Sequence, residues 1–230
     1  MPSLDINKQQ VFYTWTDAKS SVTNAQCPVF ILIHGLGSSH AFFGPVIPSL
    51  SAAGYPCLAL DTPGSALSPW NGRDSSIARL ANVVAELASS LDIALEKVVV
   101  VGHSMGAMIA SRLAQDHALM GAVLLGPVHP SPDLADVFQA RVKTVDEKGM
   151  EAMADVIPSA ATGSRCTATQ RSFIRALLLS QTKEGYNSLC RTIATAEAPG
   201  YAEAMCPLLV IAGSNDKTSP MAGCQEILKW

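Results

Sequence analysis

The chain has 230 residues, of which 48% are hydrophobic and 15% charged, and its formal net charge is −3. This length allows a sizeable core, and the scattered basic residues do not form the patch typical of nucleic-acid binding or of a polybasic membrane tether. The longest apolar run, residues 28–33, is too short to span a bilayer.

The N-terminal stretch and the cysteines bear on the compartment. "MPSLDINKQQ" lacks the apolar core of a secretion signal. The six cysteines form no C-x-x-C pair and have no metal-type spacing with histidine, so we interpret them as free thiols. The sequence therefore predicts a cytoplasmic protein without a metal or other cofactor, and it does not indicate the oligomeric state.

In chain order, two weak apolar patches at residues 4–6 and 11–15 come first and predict an antiparallel hairpin. The next strands are apolar throughout, as is typical of parallel strands covered on both faces: "PVFILIHG" (28–35), "PCLALD" (56–61), "KVVVVG" (97–102), "MGAVLLG" (120–126) and "PLLVIAG" (207–213). Between them, apolar side chains recur at helical spacing from Ile77 to Leu91 and from Met105 to Leu113. This alternation predicts an α/β fold with a doubly wound, mostly parallel sheet.

One region, from His129 to about Ala204, contains only helical patterns. We interpret it as a helical cap, inserted after the strand that ends near Gly126, over the carboxyl edge of the sheet. The predicted organisation is a first part of the core at 1–128, the cap at 129–204, and a second, incomplete part of the core at 205–230.

The four-valine strand runs directly into "GHSMG" (102–106), and a helical pattern follows at once. In doubly wound sheets, ligands bind outside the carboxyl ends of the strands. Glycines two residues before and after Ser104 allow the strand and the helix to approach closely. Although a plain glycine-rich turn would also give this pentapeptide, its flanking strand and helix favour a nucleophile elbow, G-x-S-x-G, with the Ser104 hydroxyl exposed.

The loop "HGLGSSH" (34–40) follows the first long strand and complements this elbow. Acyl transfer requires backbone N–H donors directed at the developing oxyanion. We expect Met105, the residue after the nucleophile, to supply one donor and Leu36 to supply the other.

These segments resemble the α/β-hydrolase family over nearly the whole chain. The matching stretches are "HGLG" (34–37), "LDTPGSALS" (60–68, with Ala66 where a glycine is usual), "GHSMG" (102–106) and "IAGSNDKTSP" (211–220). Within the family, cap residues 175–197 resemble the 3-oxoadipate enol-lactonase-like group. The resemblance implies an α/β-hydrolase fold in which Asp216 is the catalytic acid.

The resemblance also implies a catalytic histidine roughly 25 to 30 residues after the acid. The sequence has no histidine beyond His129, and "CQEILKW" at its end resembles an interrupted helix. We therefore expect a truncated chain that lacks the base and the last strand. Such a chain would have little activity and would expose residues 207–213 as a sheet edge.

The remaining candidates are expected to line the pocket. His34 belongs to the expected oxyanion loop and is expected to be held structurally. His103 lies in the elbow, and its side chain is expected to point away from the nucleophile's pocket. A catalytic base at His40 or His129 would break the order Ser–Asp–His. The pocket-lining candidates are therefore His34, Gly35, His40, His103, His129 and Tyr186.

The resemblance implies a serine hydrolase that cleaves a small ester, thioester or lactone through an acyl-enzyme. Two alternatives stay open: a non-catalytic or fragmentary protein of the same fold, and carbon–carbon bond hydrolysis or acyl transfer by the same Ser–Asp pair. Serine at the elbow argues against epoxide hydrolase and haloalkane dehalogenase chemistry. The sequence does not identify the substrate.

Overall fold

A computed structural model describes residues 2–19 and 27–229. Within them, seven strands form one sheet in the order β1-β2-β4-β3-β5-β6-β7. The strands are β1 (Ser3–Ile6), β2 (Gln9–Thr16), β3 (Val29–Ile33), β4 (Cys57–Leu60), β5 (Val98–His103), β6 (Gly121–Leu125) and β7 (Leu208–Ile211). The helices are α1 (Ile47–Ala52), α2 (Ile77–Ser90), α3 (Met105–Asp116), α4 (Pro132–Lys148), α5 (Met150–Ala160), α6 (Ala168–Leu179), α7 (Lys183–Ala194) and α8 (Met221–Ile227).

The sheet confirms the predicted alternation. The five apolar runs became β3 to β7, and they pair in parallel from β4 through β3, β5 and β6 to β7. The lead-in hairpin is also confirmed, since β1 pairs antiparallel with β2 and β2 pairs antiparallel with β4. Gly102 pairs with Ile33 on β3 and with Leu124 on β6, so the elbow emerges between two strands of the central sheet.

Helices α2 and α3 cover the sheet with the faces that their periodicity predicted. Leu80, Val84 and Leu87 of α2 are at most 1% exposed, and Met108 and Ile109 of α3 are at most 2% exposed. All five belong to one core cluster that includes β3 and β5 side chains. Burial of these apolar side chains therefore fixes the helix that follows the elbow.

Helices α4 to α7 lie between β6 and β7 in the chain, where the insertion was expected. Helices α4 and α7 pack together through buried side chains that include Phe138, Val145, Tyr186 and Leu189. The start of α7 also meets the core backbone, because a Cβ at Gly185 would overlap the Gly64 carbonyl oxygen. The inserted helices are thus packed onto the loops at the carboxyl edge of the sheet.

Strand β7 is the outer strand of the described sheet. Its Leu209 and Ile211 side chains are 55% and 51% exposed. The backbone and side chains along this edge are therefore open to further pairing. Among residues 2–19 and 27–229, no helix combines the length and the apolar character needed to cross a membrane.

Candidate active site

Ser104 lies at the tip of a tight turn between β5, which ends at His103, and α3, which begins at Met105. Its backbone has φ 55° and ψ −115°, a strained conformation for a residue with a side chain. Hydrogen bonds hold this geometry on both sides, from the Ser104 N–H to the Leu125 carbonyl (2.9 Å) and from the Ala107 N–H to the Ser104 carbonyl (2.9 Å).

The two elbow glycines are required by the close approach of backbone to backbone. A Cβ at Gly102 would overlap the Gly106 carbonyl oxygen, and a Cβ at Gly106 would overlap the Ile33 carbonyl oxygen. Backbone atoms cannot rotate away as a flexible side chain can, so any larger residue would force the strand and the helix apart. The spacing of glycines in the sequence thus corresponds to a steric requirement.

A cavity of about 330 Å³ opens beside Ser104. The loop after β3 contributes Gly35 and Leu36 to its wall, and the loop after β7 contributes Asp216. The inserted helices contribute mainly apolar side chains: Phe138, Ile157, Ile174, Leu177 and Leu178. The cavity therefore places a hydroxyl and a carboxylate in a mostly apolar chamber between the sheet and the inserted helices.

The two expected oxyanion donors differ in their surroundings. Leu36 lines the cavity, whereas the Met105 side chain is fully buried in the core and only its main chain borders the elbow. The Met105 N–H is the first of α3, so it has no acceptor within the helix. Met105 is not among the residues of the cavity wall, so its position agrees only with a role of its main chain. The oxyanion hole itself stays a prediction.

Asp216 is fixed by its own loop. Its Oδ1 accepts hydrogen bonds from the backbone N–H groups of Thr218 (2.9 Å) and Ser219 (2.8 Å). Its Oδ2 lies 3.2 Å from the position that a Cβ on Gly126 would take. The carboxylate is thus held at the carboxyl ends of β6 and β7, where a catalytic acid is expected in this type of sheet.

The His103 side chain was expected to point away from the nucleophile's pocket, whereas the structure places His103 in the cavity wall next to Ser104. Its ring stacks on Phe42, with centroids 4.6 Å apart and an interplanar angle of 16°. Within the described residues its buried Nδ1 has no hydrogen-bond partner. Burial lowers the pKa of His103 to about 4, and the nearby Asp216 carboxylate opposes this shift only in part. The imidazole is therefore neutral at pH 7.

This shift predicts a loss of stability in acid. The unfolded chain binds a proton at His103 near pH 6.5, whereas the folded chain binds it only near pH 4, so stability falls as the pH drops through this window. We expect His103→Gln to reduce the slope of the free energy of unfolding against pH by up to about 1.4 kcal/mol per pH unit. Urea unfolding of both proteins at pH 7 and pH 5 measures the slopes, and equal slopes would refute the assignment.

His34 and His40 were expected to line the pocket, and the structure corrects both. The His34 ring is fully buried, with Nδ1 2.7 Å from the Gly35 carbonyl oxygen and Nε2 accepting from the Thr62 N–H (3.1 Å). Burial lowers its pKa. The His40 Nδ1 lies 2.8 Å from Oδ1 of the fully buried Asp61. These hydrogen bonds hold both rings in the loop structure, outside the cavity wall.

His129 and Tyr186 are also outside the cavity wall, so the expectation for them was wrong as well. The His129 Nδ1 lies 3.2 Å from the Tyr201 hydroxyl oxygen, and a Cβ at Gly223 in α8 would lie 3.2 Å from the His129 Cβ. Tyr186 is 1% exposed and packs inside the inserted helices, where burial raises its pKa. Gly35 and His103 are the two candidates that do line the cavity.

Sequence reasoning missed Arg141, which lines the cavity from α4, and Gln181, which joins the inserted helices to the core. The Gln181 amide donates to the Ser38 carbonyl (3.1 Å) and accepts from the Ala66 N–H (3.3 Å). Arg141 follows the buried Phe138 by three residues, a spacing that places both on one helix face. Gln181 had no comparable signal, because its partners lie more than 100 residues away in the chain.

Comparison with known proteins extends these observations. The model of the alpha/beta hydrolase family matches residues 30–229. The protein named "Putative carbamate hydrolase RutD" from Escherichia coli O127:H6 is 30% identical over 220 residues, covering 88% of this chain and 79% of its own length.

Two solved structures show the same fold. The enol-lactonase from Burkholderia xenovorans LB400 has a TM-score of 0.88 and 25% identity, over 99% of this chain and 87% of that one. The esterase EaEST from Exiguobacterium antarcticum has a TM-score of 0.87 at 14% identity, over 99% of this chain and 86% of that one.

Proposed function

Because the chain belongs to the alpha/beta hydrolase family, we propose that it is a serine hydrolase of small esters, thioesters or lactones. The observation that carries this proposal is the position of Ser104, at a strained strand-to-helix tip and in the wall of a cavity shared with Asp216. A hydroxyl held in this way is presented to a bound carbonyl carbon without a change of backbone conformation.

In the proposed reaction, the Ser104 Oγ attacks the substrate carbonyl and forms a tetrahedral oxyanion. The backbone N–H groups of Leu36 and Met105 stabilise this charge. Collapse of the intermediate breaks the C–O or C–S bond, which releases the alcohol or thiol or opens the lactone ring, and leaves an acyl-enzyme. The proton given up by the Ser104 hydroxyl passes through a base to the leaving oxygen or sulfur, and water then hydrolyses the acyl-enzyme. Residues 129–204 act as the cap that closes the cavity over the substrate, and the mostly apolar side chains in the wall exclude water.

A serine nucleophile needs a base that accepts its hydroxyl proton. All five histidines lie in the described part of the chain, and none is hydrogen-bonded to the Ser104 hydroxyl there. His103 is the one that lines the cavity, and its pKa of about 4 makes it a weak base at pH 7. We therefore propose that these 230 residues alone turn over substrate slowly.

Carbamate hydrolysis is a second candidate, because one relative with 30% identity carries the name of a carbamate hydrolase. Carbamates and esters share the carbonyl chemistry described above, and the substrate profile separates them.

The test uses an extended chain, in which about 40 residues from the C-terminus of the enol-lactonase follow residue 230, enough for one helix, one strand and a histidine loop. Ester, lactone, thioester and carbamate turnover is measured against the same chain with Ser104→Ala. The proposal fails if no class is hydrolysed faster by the Ser104 form.

A further inference from the structure

Arg141 projects from α4 into the wall of the cavity that contains Ser104. Its guanidinium carbon lies 4.7 Å above the centroid of the Phe138 ring. It also neighbours Tyr186. Burial raises the pKa of the Tyr186 hydroxyl, and the Arg141 charge makes that rise smaller. Both aromatic side chains are 1% exposed. The guanidinium is thus held by two buried rings.

The charge of Arg141 has no carboxylate partner within the described residues. The ion pairs seen there are His40–Asp61, Arg112–Asp116, Arg175–Asp155, Lys183–Asp146, Arg191–Asp74 and Lys229–Glu226. Asp216 lines the same cavity, but the hydrogen bonds to its Oδ1 come from its own loop. A cation partly withdrawn from water and left unpaired is costly, which favours a ligand that supplies the missing anion.

The chemistry of the cavity wall narrows the nature of that anion. Arg141 is the single arginine or lysine among the described residues that line the cavity, and most of the inserted side chains around it are apolar. A guanidinium in such surroundings presents a planar fork of N–H donors, which matches the two oxygens of a carboxylate. The chain as a whole has a formal net charge of −3. The Arg141 guanidinium therefore gives the cavity a local positive charge that attracts an anionic group.

We propose that Arg141 binds a carboxylate of the substrate, so that the substrate is an anionic ester, thioester or lactone whose reacting carbonyl lies at Ser104. This inference rests on the proposed function, because it takes Ser104 as the reacting end of the cavity. Arg141 acts in recognition: it selects substrates by charge and orients them, and it takes no part in bond breaking.

The test measures binding, so that it does not depend on turnover. In the 230-residue chain with Ser104→Ala, calorimetry compares the monomethyl esters of succinate, glutarate and adipate with the corresponding dimethyl esters at pH 7. Each pair shares a skeleton and differs by one carboxylate. We expect at least one monoester to bind about tenfold or more tightly than its diester, the size of a charge-assisted hydrogen bond.

Arg141→Gln is expected to remove this preference, and Arg141→Lys, which keeps the charge but not the fork, to retain part of it. The matched control is Arg175→Gln, which removes an arginine from the exposed face of α6, where Arg175 pairs with Asp155 outside the cavity wall. It should keep the full preference.

Equal binding of monoesters and diesters in all three pairs would overturn the inference, and so would a preference that persists in Arg141→Gln. Should Arg141→Gln fail to fold, the comparison of Arg141→Lys with Arg175→Gln decides. If Arg141→Lys prefers monoesters as strongly as Arg175→Gln does, the guanidinium of Arg141 does not bind the carboxylate as proposed, and the inference is overturned. A failure of the proposed function would appear separately, as ester turnover that is insensitive to Ser104→Ala in the extended chain.

Discussion

Replacing Ser104 with alanine is expected to lower kcat for p-nitrophenyl esters by roughly a million-fold in the extended chain, the scale of nucleophile loss in serine hydrolases. The reason is that the side chain removed lies at the strained tip between β5 and α3 and in the cavity wall. The measurement is steady-state turnover of both forms at matched concentration. The fold should survive, because the strain at this position is set by the backbone and the Gly102 and Gly106 contacts are unchanged.

Ser111 provides the matched control for this substitution. It lies on α3 two turns beyond the elbow, is 4% exposed, and donates its hydroxyl to the Ala107 carbonyl oxygen (2.9 Å). Ser111→Ala removes the same type of atom, a serine Oγ, from within α3 and outside the cavity, and kcat should stay close to that of the parent. A similar fall in both variants would indicate damage to the helix rather than loss of a nucleophile.

The 230-residue chain is expected to hydrolyse the same esters at least about ten-thousand-fold more slowly than the extended chain, because loss of a triad histidine can cost up to about a million-fold in kcat. The physical reason is the proton on the Ser104 hydroxyl, which needs a base with a pKa near 7, whereas burial holds the pKa of His103 at about 4. Added imidazole should partly restore the rate, since a diffusible base with a suitable pKa can enter the cavity.

Replacing the histidine in the added segment by alanine is the control for this comparison, and it should return the extended chain to the slow rate. Comparable rates for the 230-residue and extended chains would contradict the account. His129, hydrogen-bonded to Tyr201, and His40, paired with Asp61, would then have to be substituted in turn as candidate bases.

Much of the fold could be predicted because its signals are local. Parallel strands covered on both faces must be apolar throughout, so the five runs from residue 28 to residue 213 identified β3 to β7. The elbow could be predicted equally well, because only glycine fits at positions 102 and 106 without overlapping backbone atoms. Helix α1 (Ile47–Ala52) was missed, because six residues with a proline give no helical periodicity.

The cavity wall was predicted less well because it depends on contacts between distant parts of the chain. His40 and His129 follow strands and were expected in the crevice, but each ring is hydrogen-bonded to a partner outside the cavity wall, Asp61 in one case and Tyr201 in the other. Arg141 enters the wall only because the inserted helices fold back over the sheet. Neither outcome has a signature within one short stretch of sequence.

The central claim, that Ser104 is the nucleophile, is tested most directly by locating a covalent adduct. The extended chain is treated with a fluorophosphonate and digested with trypsin, and the peptide between Lys97 and Arg112 is fragmented in a mass spectrometer. The account predicts one phosphonate per chain, on Ser104 and not on Ser111, and no adduct in Ser104→Ala. An adduct on another residue with Ser104 unmodified would contradict it.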